Sequence, residues 1–194
     1  MGAGLIFISV REVHSFLAIT DPVHGGALIA EGWLPDHAFD EVAAEFKRNQ
    51  YDTLYVTGGP IEQRESCTSY ITYAERGEAI VRSKGLAPSV VRVIPALKVH
   101  RDRTYASAVA LRKWLVDHEV THRSYHVMSF GPHTRRTRLL FEQALGEGAI
   151  VGSTAIEDPD YDPKHWWNTS VGVRTVIDEA IAYGYARFLF RQTE

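Results

Sequence analysis

The amino-acid sequence predicts an α/β fold, a Rossmann-like three-layer α/β/α sandwich around a mainly parallel sheet of about five strands. Short apolar runs closed by turn residues alternate with longer segments whose apolar residues recur at spacings of three and four. Connections between them are short, and repeated strand–helix units argue for parallel strands covered on both faces. No internal repeat, low-complexity tract or interdomain linker interrupts the 194 residues. That length suits one domain burying about 70% of its unfolded surface. The division is therefore a lead-in segment over 1–26 and a single domain over 27–194.

The lead-in contains Leu5-Ile6-Phe7-Ile8, but Arg11, Glu12 and His14 follow within a few residues. A spanning helix needs about 20 apolar residues, so none is expected. No basic leader, long apolar core and small-residue cleavage site follow one another. The segment reads as an amphipathic lead-in helix or as the remnant of an anchor. The chain reads as soluble and cytoplasmic, with envelope association the alternative if an anchor is missing.

Ala27-Leu28-Ile29-Ala30 is the first strand, closed by Glu31-Gly32-Trp33. A helix is predicted from about Asp36 to Gln50, with Phe39, Val42, Ala43 and Phe46 on one face and Asp36 as its cap. Thr53 to Thr57 is the second strand, stopped by Gly58-Gly59-Pro60, and a helix from about Thr68 to Lys84 ends at Gly85. Val90 to Ile94 is the third strand; the helix after it, about Thr104 to His118, turns Ala108, Leu111 and Leu115 inward. Tyr125 to Met128 leads through Ser129-Phe130-Gly131-Pro132 into a helix from Thr134 to Leu145, closed by Gly146. Ala149-Ile150-Val151 is the fifth strand, and a polar stretch with Trp166-Trp167 precedes a last helix from about Val171 to Arg191.

The net charge of −3 makes no overall case for nucleic acid or an anionic membrane as partner, so any attraction for anions is local. Cys67 is the single cysteine; no intrachain disulfide can form, and the redox compartment stays open. Cys67 lies among charged and hydroxyl residues with no obvious base beside it and reads as incidental.

In open parallel sheets ligands bind beyond the carboxyl ends of the strands. Those ends carry Glu31 and Trp33; Gly58 and Gly59; Arg101, Asp102, Arg103 and Thr104; His133, Arg135 and Arg136; and Asp158, Asp160 and Tyr161. Arginines in the first turn of a helix sit against its partial positive charge, an arrangement that suits an anion. The alternative is that they are solvated and pair with carboxylates. Gly58-Gly59 either lets a ligand approach backbone N–H groups or simply makes a turn. His133 reads as a general acid or base, its pKa lowered by neighbouring cations, or as a donor to a loop carbonyl. Glu31 and Asp102 either orient that base, hold a metal or pair with the arginines. Trp166 and Trp167 either wall a pocket or cap the core where the loop meets the last helix.

Other motifs fail. Gly2-Ala3-Gly4 follows no strand, so it is no dinucleotide fingerprint. Asp158-Pro159-Asp160-Tyr161-Asp162 begins like a calcium loop, but Pro163 and Thr169 stand where glycine and glutamate are needed. No Walker lysine, nucleophile elbow or zinc-protease pair is present; no metal-binding residue is assigned, and the cofactor is unknown.

Thr57-Gly58-Gly59, then Arg103-Thr104 opening a helix, then His133-x-x-Arg136 opening another, resemble the bacterial YdcF/ElyC/SanA family over most of the chain. Glu31-Gly32-Trp33, Arg101 to Tyr105, Tyr161-Asp162-Pro163 and Trp166-Trp167 resemble one branch of it. The resemblance implies a Rossmann-like fold, a pocket lined by the charged motif residues and a role in bacterial envelope biogenesis, often with an N-terminal membrane helix. It supplies no settled reaction. The chain departs from the family pattern at Ala106 and Ser107, where an acidic residue and asparagine are usual in that helix, and at Arg103, where asparagine is usual. That weakens a mechanism needing a carboxylate there and strengthens anion binding.

The expected function is binding, and transformation, of a phosphorylated or otherwise anionic small molecule: a nucleotide, sugar phosphate, prenyl phosphate or S-adenosylmethionine. Arg101, Arg103, Thr104, Arg135 and Arg136 would hold it, with Gly58, Gly59 and Trp166; His133 would move the proton, oriented by Glu31 or Asp102. The alternatives are a non-catalytic anion- or nucleotide-binding module, and an envelope interaction protein with a vestigial pocket.

Overall fold

Ala27-Leu28-Ile29-Ala30 is apolar on both sides of its pleat, and a strand of that kind belongs in the middle of a sheet covered on both faces. In the computed structural model, which describes residues 10–62 and 69–191, it does lie there. The elements are α1 (Val10–Leu17), β1 (Ala27–Glu31), α2 (Ala38–Arg48), β2 (Thr53–Gly58), α3 (Tyr73–Ser83), β3 (Val91–Pro95), α4 (Arg103–Asp117), β4 (Tyr125–Phe130), α5 (Thr134–Leu145), β5 (Val151–Ile156) and α6 (Ser170–Phe188). All five strands are parallel, in the order β3-β2-β1-β4-β5.

Strand alternation divides the core in two. Leu28, Ala30, Leu54, Val56 and Met128 pack on Phe39, Val42 and Val81 of α2 and α3. Ala27, Ile29, Tyr55, Tyr125 and Val127 pack on Ala108, Leu111 and Phe141 of α4 and α5. The result is the Rossmann-like three-layer sandwich. A smaller cluster of Leu17, Tyr161, Trp166 and Val176 joins α1, the segment after β5 and α6. No described helix is long and apolar enough to cross a membrane.

Three boundaries differ from expectation. The fifth strand begins at Val151 and continues to Ile156, because backbone pairing with Tyr125 to Phe130 extends it through small and polar residues. The Asp21 and Ser153 backbones also bond to each other, at 2.8 and 2.9 Å, covering part of that edge. Asp36 does not cap α2; His37 holds the cap position, and the Asp36 carboxylate pairs with Arg76. α3 starts at Tyr73, where Thr72 and Glu75 form a reciprocal capping box, rather than near Thr68. Thr68, Cys67, Gly2-Ala3-Gly4 and Leu5 to Ile8 lie outside the described residues.

Gly58 is a packing residue: a Cβ there would stand 2.7 Å from the Tyr73 Cβ, so its absence lets α3 start against the end of β2. At Gly59 the nearest atom to such a Cβ is the Leu97 carbonyl oxygen, 3.8 Å away.

Candidate functional site

The chain winds outward from β1 through β2 to β3 on one side and through β4 to β5 on the other. The switch between β1 and β4 opens a crevice at the carboxyl ends of the strands. The alternation that turns Ala27 and Ile29 toward α4 and α5 turns Glu31 the same way. It does likewise for Thr57 after Tyr55 and for Ser129 after Val127. All three are buried. The core on this face thus ends in a polar floor.

Glu31 is held from two elements. Its Oε2 accepts hydrogen bonds from Ser129 Oγ at 2.6 Å and Thr137 Oγ1 at 3.2 Å. Its Oε1 lies 3.5 Å from His133 Nε2. His133 ends a short turn, Gly131–His133, that carries the chain from β4 into α5. Its other nitrogen, Nδ1, donates to Glu179 Oε1 at 2.8 Å. Arg136, one turn along α5, grips both oxygens of the same carboxylate, Nε to Oε2 and Nη2 to Oε1, each at 2.9 Å. Its Nη2 is 2.8 Å from Nδ1. With both nitrogens protonated, that approach is two donors converging on one oxygen, not a further bond.

Burial opposes charge on His133, but the Glu31 and Glu179 carboxylates overcome it and raise the imidazole from 6.5 to about 9. Burial likewise opposes ionisation of Glu179, yet hydrogen bonds from His133 and Arg136 hold it down at about 2. Glu31 also lies below its ordinary value, its burial outweighed by the His133 charge and by hydrogen bonds. The four side chains form an electrically neutral quartet, with Glu31 buried and His133, Arg136 and Glu179 partly buried. This reverses the lowering expected for His133 from adjacent cations: the charges and hydrogen bonds of Glu31 and Glu179 decide it.

At neutral pH His133 is therefore an imidazolium. Its Nδ1–H is committed to Glu179. Its Nε2–H is only loosely engaged, with Glu31 Oε1 and Thr104 Oγ1 both 3.5 Å away, longer than a well-formed hydrogen bond. Trp33 meets the ring edge-on, centroids 5.2 Å apart. A cavity of about 1130 Å³ opens here, with Glu31, Thr57, His133, Arg136 and Glu179 in its lining. Thr57 Oγ1 is buried without a hydrogen-bond partner among the described residues.

One wall of the cavity is the segment from Ala96 into the first turn of α4. Lys98, Arg101 and Arg103 lie on it, exposed, and none makes an ion pair among the described residues. Asp102 lies between the two arginines with left-handed backbone, φ 57° and ψ 37°, a conformation aspartate tolerates. Its side chain does not cap α4 and makes no hydrogen bond to His133 among the described residues. Orienting the ring falls to Glu31 and Glu179.

The structure thus gathers Glu31, Gly58, Gly59, Arg101, Asp102, Arg103, Thr104, His133 and Arg136 around one cavity. It does not bring Arg135 or Trp166 there. The Arg135 Nε donates to the Phe16 carbonyl, and its guanidinium stacks 4.0 Å over the Phe16 ring. Trp166 is buried with Leu17, Tyr161 and Val176, capping the core where the loop meets α6. Glu179 escaped the sequence reading. Its signal is positional: it falls on the stripe that buries Gly172, Val176 and Ala186, where a carboxylate needs a partner.

Among the described residues no group of three or more His, Cys, Asp or Glu side chains is placed to hold a metal ion. What the site offers is a proton at Nε2, a fixed positive charge beneath the cavity and exposed cations along its wall. Compared with known proteins, the chain matches no family model and no curated protein.

Proposed function

We propose that the protein is a YdcF/ElyC/SanA-like enzyme that binds a phosphorylated or otherwise anionic small molecule and protonates it from His133. The observation that carries this reading is the partly buried imidazolium with a loosely held Nε2–H facing a cavity walled by arginines that are unpaired among the described residues. Arg101 and Arg103 would draw the anion in and neutralise it; Nε2 would give its proton to the oxygen on which negative charge develops. Glu31 and Glu179 hold the ring in place and stabilise its charged form, so the donor is set before the ligand arrives. The motif resemblance supports the kinship, and with it a role in envelope biogenesis.

The test is thermal unfolding against nucleotides, sugar nucleotides, S-adenosylmethionine and soluble prenyl-phosphate analogues. A ligand at 100 times its dissociation constant adds about 2.7 kcal/mol, a shift of several degrees. Wild type should shift with one ligand class, and the Arg101→Ala, Arg103→Ala double variant should not. His133→Gln should keep the shift and lose turnover. The closed, neutral quartet favours a second reading, a binding module without turnover. In that case His133→Gln would bind normally and no product would form even with wild type. No shift from any ligand would overturn both readings.

A further inference from the structure

α6 is apolar on two sides. Gly172, Val176 and Ala186 face the domain. On the opposite side the helix carries Val173, Ile177, Ile181 and Phe188, all exposed, at 37, 44, 68 and 80%. Leu189 continues the patch at 71%. A helix that is apolar all round needs a second apolar neighbour.

The exposed patch ends where the cavity opens. The end of α6 reads Arg187-Phe188-Leu189-Phe190-Arg191, and Phe190 lines the cavity. Leu97-Lys98-Val99-His100-Arg101-Asp102-Arg103 lines the same cavity, with Leu97 85% exposed. Both lips therefore combine exposed apolar side chains with cations. Five lysines and arginines lie on them against one acid, Asp102, in a chain whose net charge is −3. Protein cores and neutral partners offer no complement to that concentration of charge. An anionic lipid surface does: it takes apolar side chains among its acyl chains and cations among its headgroups.

We propose that these two lips dock the protein on a bilayer containing anionic phospholipid, with the cavity mouth turned to the membrane surface. Docking shares Arg101 and Arg103 with the proposed anion site, and the variants that test it, at Phe188, Leu189, Arg187 and Arg191, leave that pair untouched. Its consequence for that site is that a substrate with an apolar chain enters directly from the lipid.

The experiment is co-sedimentation of the full chain with vesicles of phosphatidylcholine alone or mixed with phosphatidylglycerol. Wild type should bind the mixed vesicles, remain free of the neutral ones, and detach as salt rises. Phe188→Ser with Leu189→Ser should lower the vesicle partition at least about tenfold, from the apolar burial lost. Arg187→Glu with Arg191→Glu should lower it at least roughly 25-fold, at about fivefold per cation removed. Both pairs are exposed, so an unchanged melting temperature shows that the fold is intact. Three results would overturn the proposal: no binding to mixed vesicles at low salt, binding indifferent to both double variants, or a solution dimer that Phe188→Ser with Leu189→Ser dissociates. The last would make a second copy the occupant of the patch.

Discussion

His133 and its two carboxylates set the pH behaviour of the molecule. A folded-state value of about 9 against 6.5 unfolded gives a contribution that is complete below 6.5 and lost as pH rises through about 9. Its size is on the order of 3 kcal/mol. Glu179 works in the opposite sense: held at about 2, it contributes above its ordinary 4.5 and loses that contribution as pH falls through about 2. Urea unfolding across these windows should show a plateau between them, and His133→Gln should remove the alkaline loss. Glu179→Gln leaves two partly buried cations with one carboxylate and should cost about 2–3 kcal/mol, below the roughly 3–5 kcal/mol of a fully buried pair. An NMR titration of the His133 ring in that variant should move toward 6.5. Thr57→Val has the reverse sign. It removes a buried hydroxyl with no partner among the described residues and should stabilise the protein by about 1 kcal/mol, read as a raised melting temperature.

At the scale of single elements, two helical glycines make a controlled pair. In α3, a Cβ on Gly77 would meet the Gly32 Cα at 2.9 Å and a Val56 methyl at 2.7 Å. In α6, a Cβ on Gly184 would meet nothing within 4 Å. Alanine gains up to about 1 kcal/mol of helix propensity at both sites. Gly184→Ala should therefore raise the melting temperature, while Gly77→Ala should lower it, overpacking costing about 1–3 kcal/mol. Elements were legible in the sequence where apolar period and punctuation agreed. The strand that ends at the Gly131-Pro132 turn and the helix from Thr134 to Leu145, closed by Gly146, are examples. They were blurred where partners decide. β5 runs through Gly152, Ser153 and Thr154 because β4 supplies the hydrogen bonds, and Asp36 prefers the Arg76 guanidinium to the end of α2.

At the scale of the whole molecule, β1 is flanked on both sides and every residue of it is buried. Its amides should exchange hydrogen only through global unfolding, whereas those of α1 exchange through smaller openings; native-state exchange under mild denaturant reads the difference. The rim of strand ends was legible because parallel topology sets those ends side by side, and Glu31, His133 and Arg136, picked from it, line one cavity. Which cations stay free was not legible, since it depends on counter-charges brought from afar: Arg136 is taken by Glu179, 43 residues on, and Arg135 by Phe16, 119 residues back. The charge of His133 depends on those same distant partners. A ribosome releases this chain from its amino end, so the sheet and five of its helices can assemble while α6 is still being made. Until α6 arrives, the ring and Arg136 have one buried carboxylate between them instead of two. The quartet is therefore complete only once α6 has been made, and a chain cut short before Glu179 would leave His133 and Arg136 without the carboxylate they share.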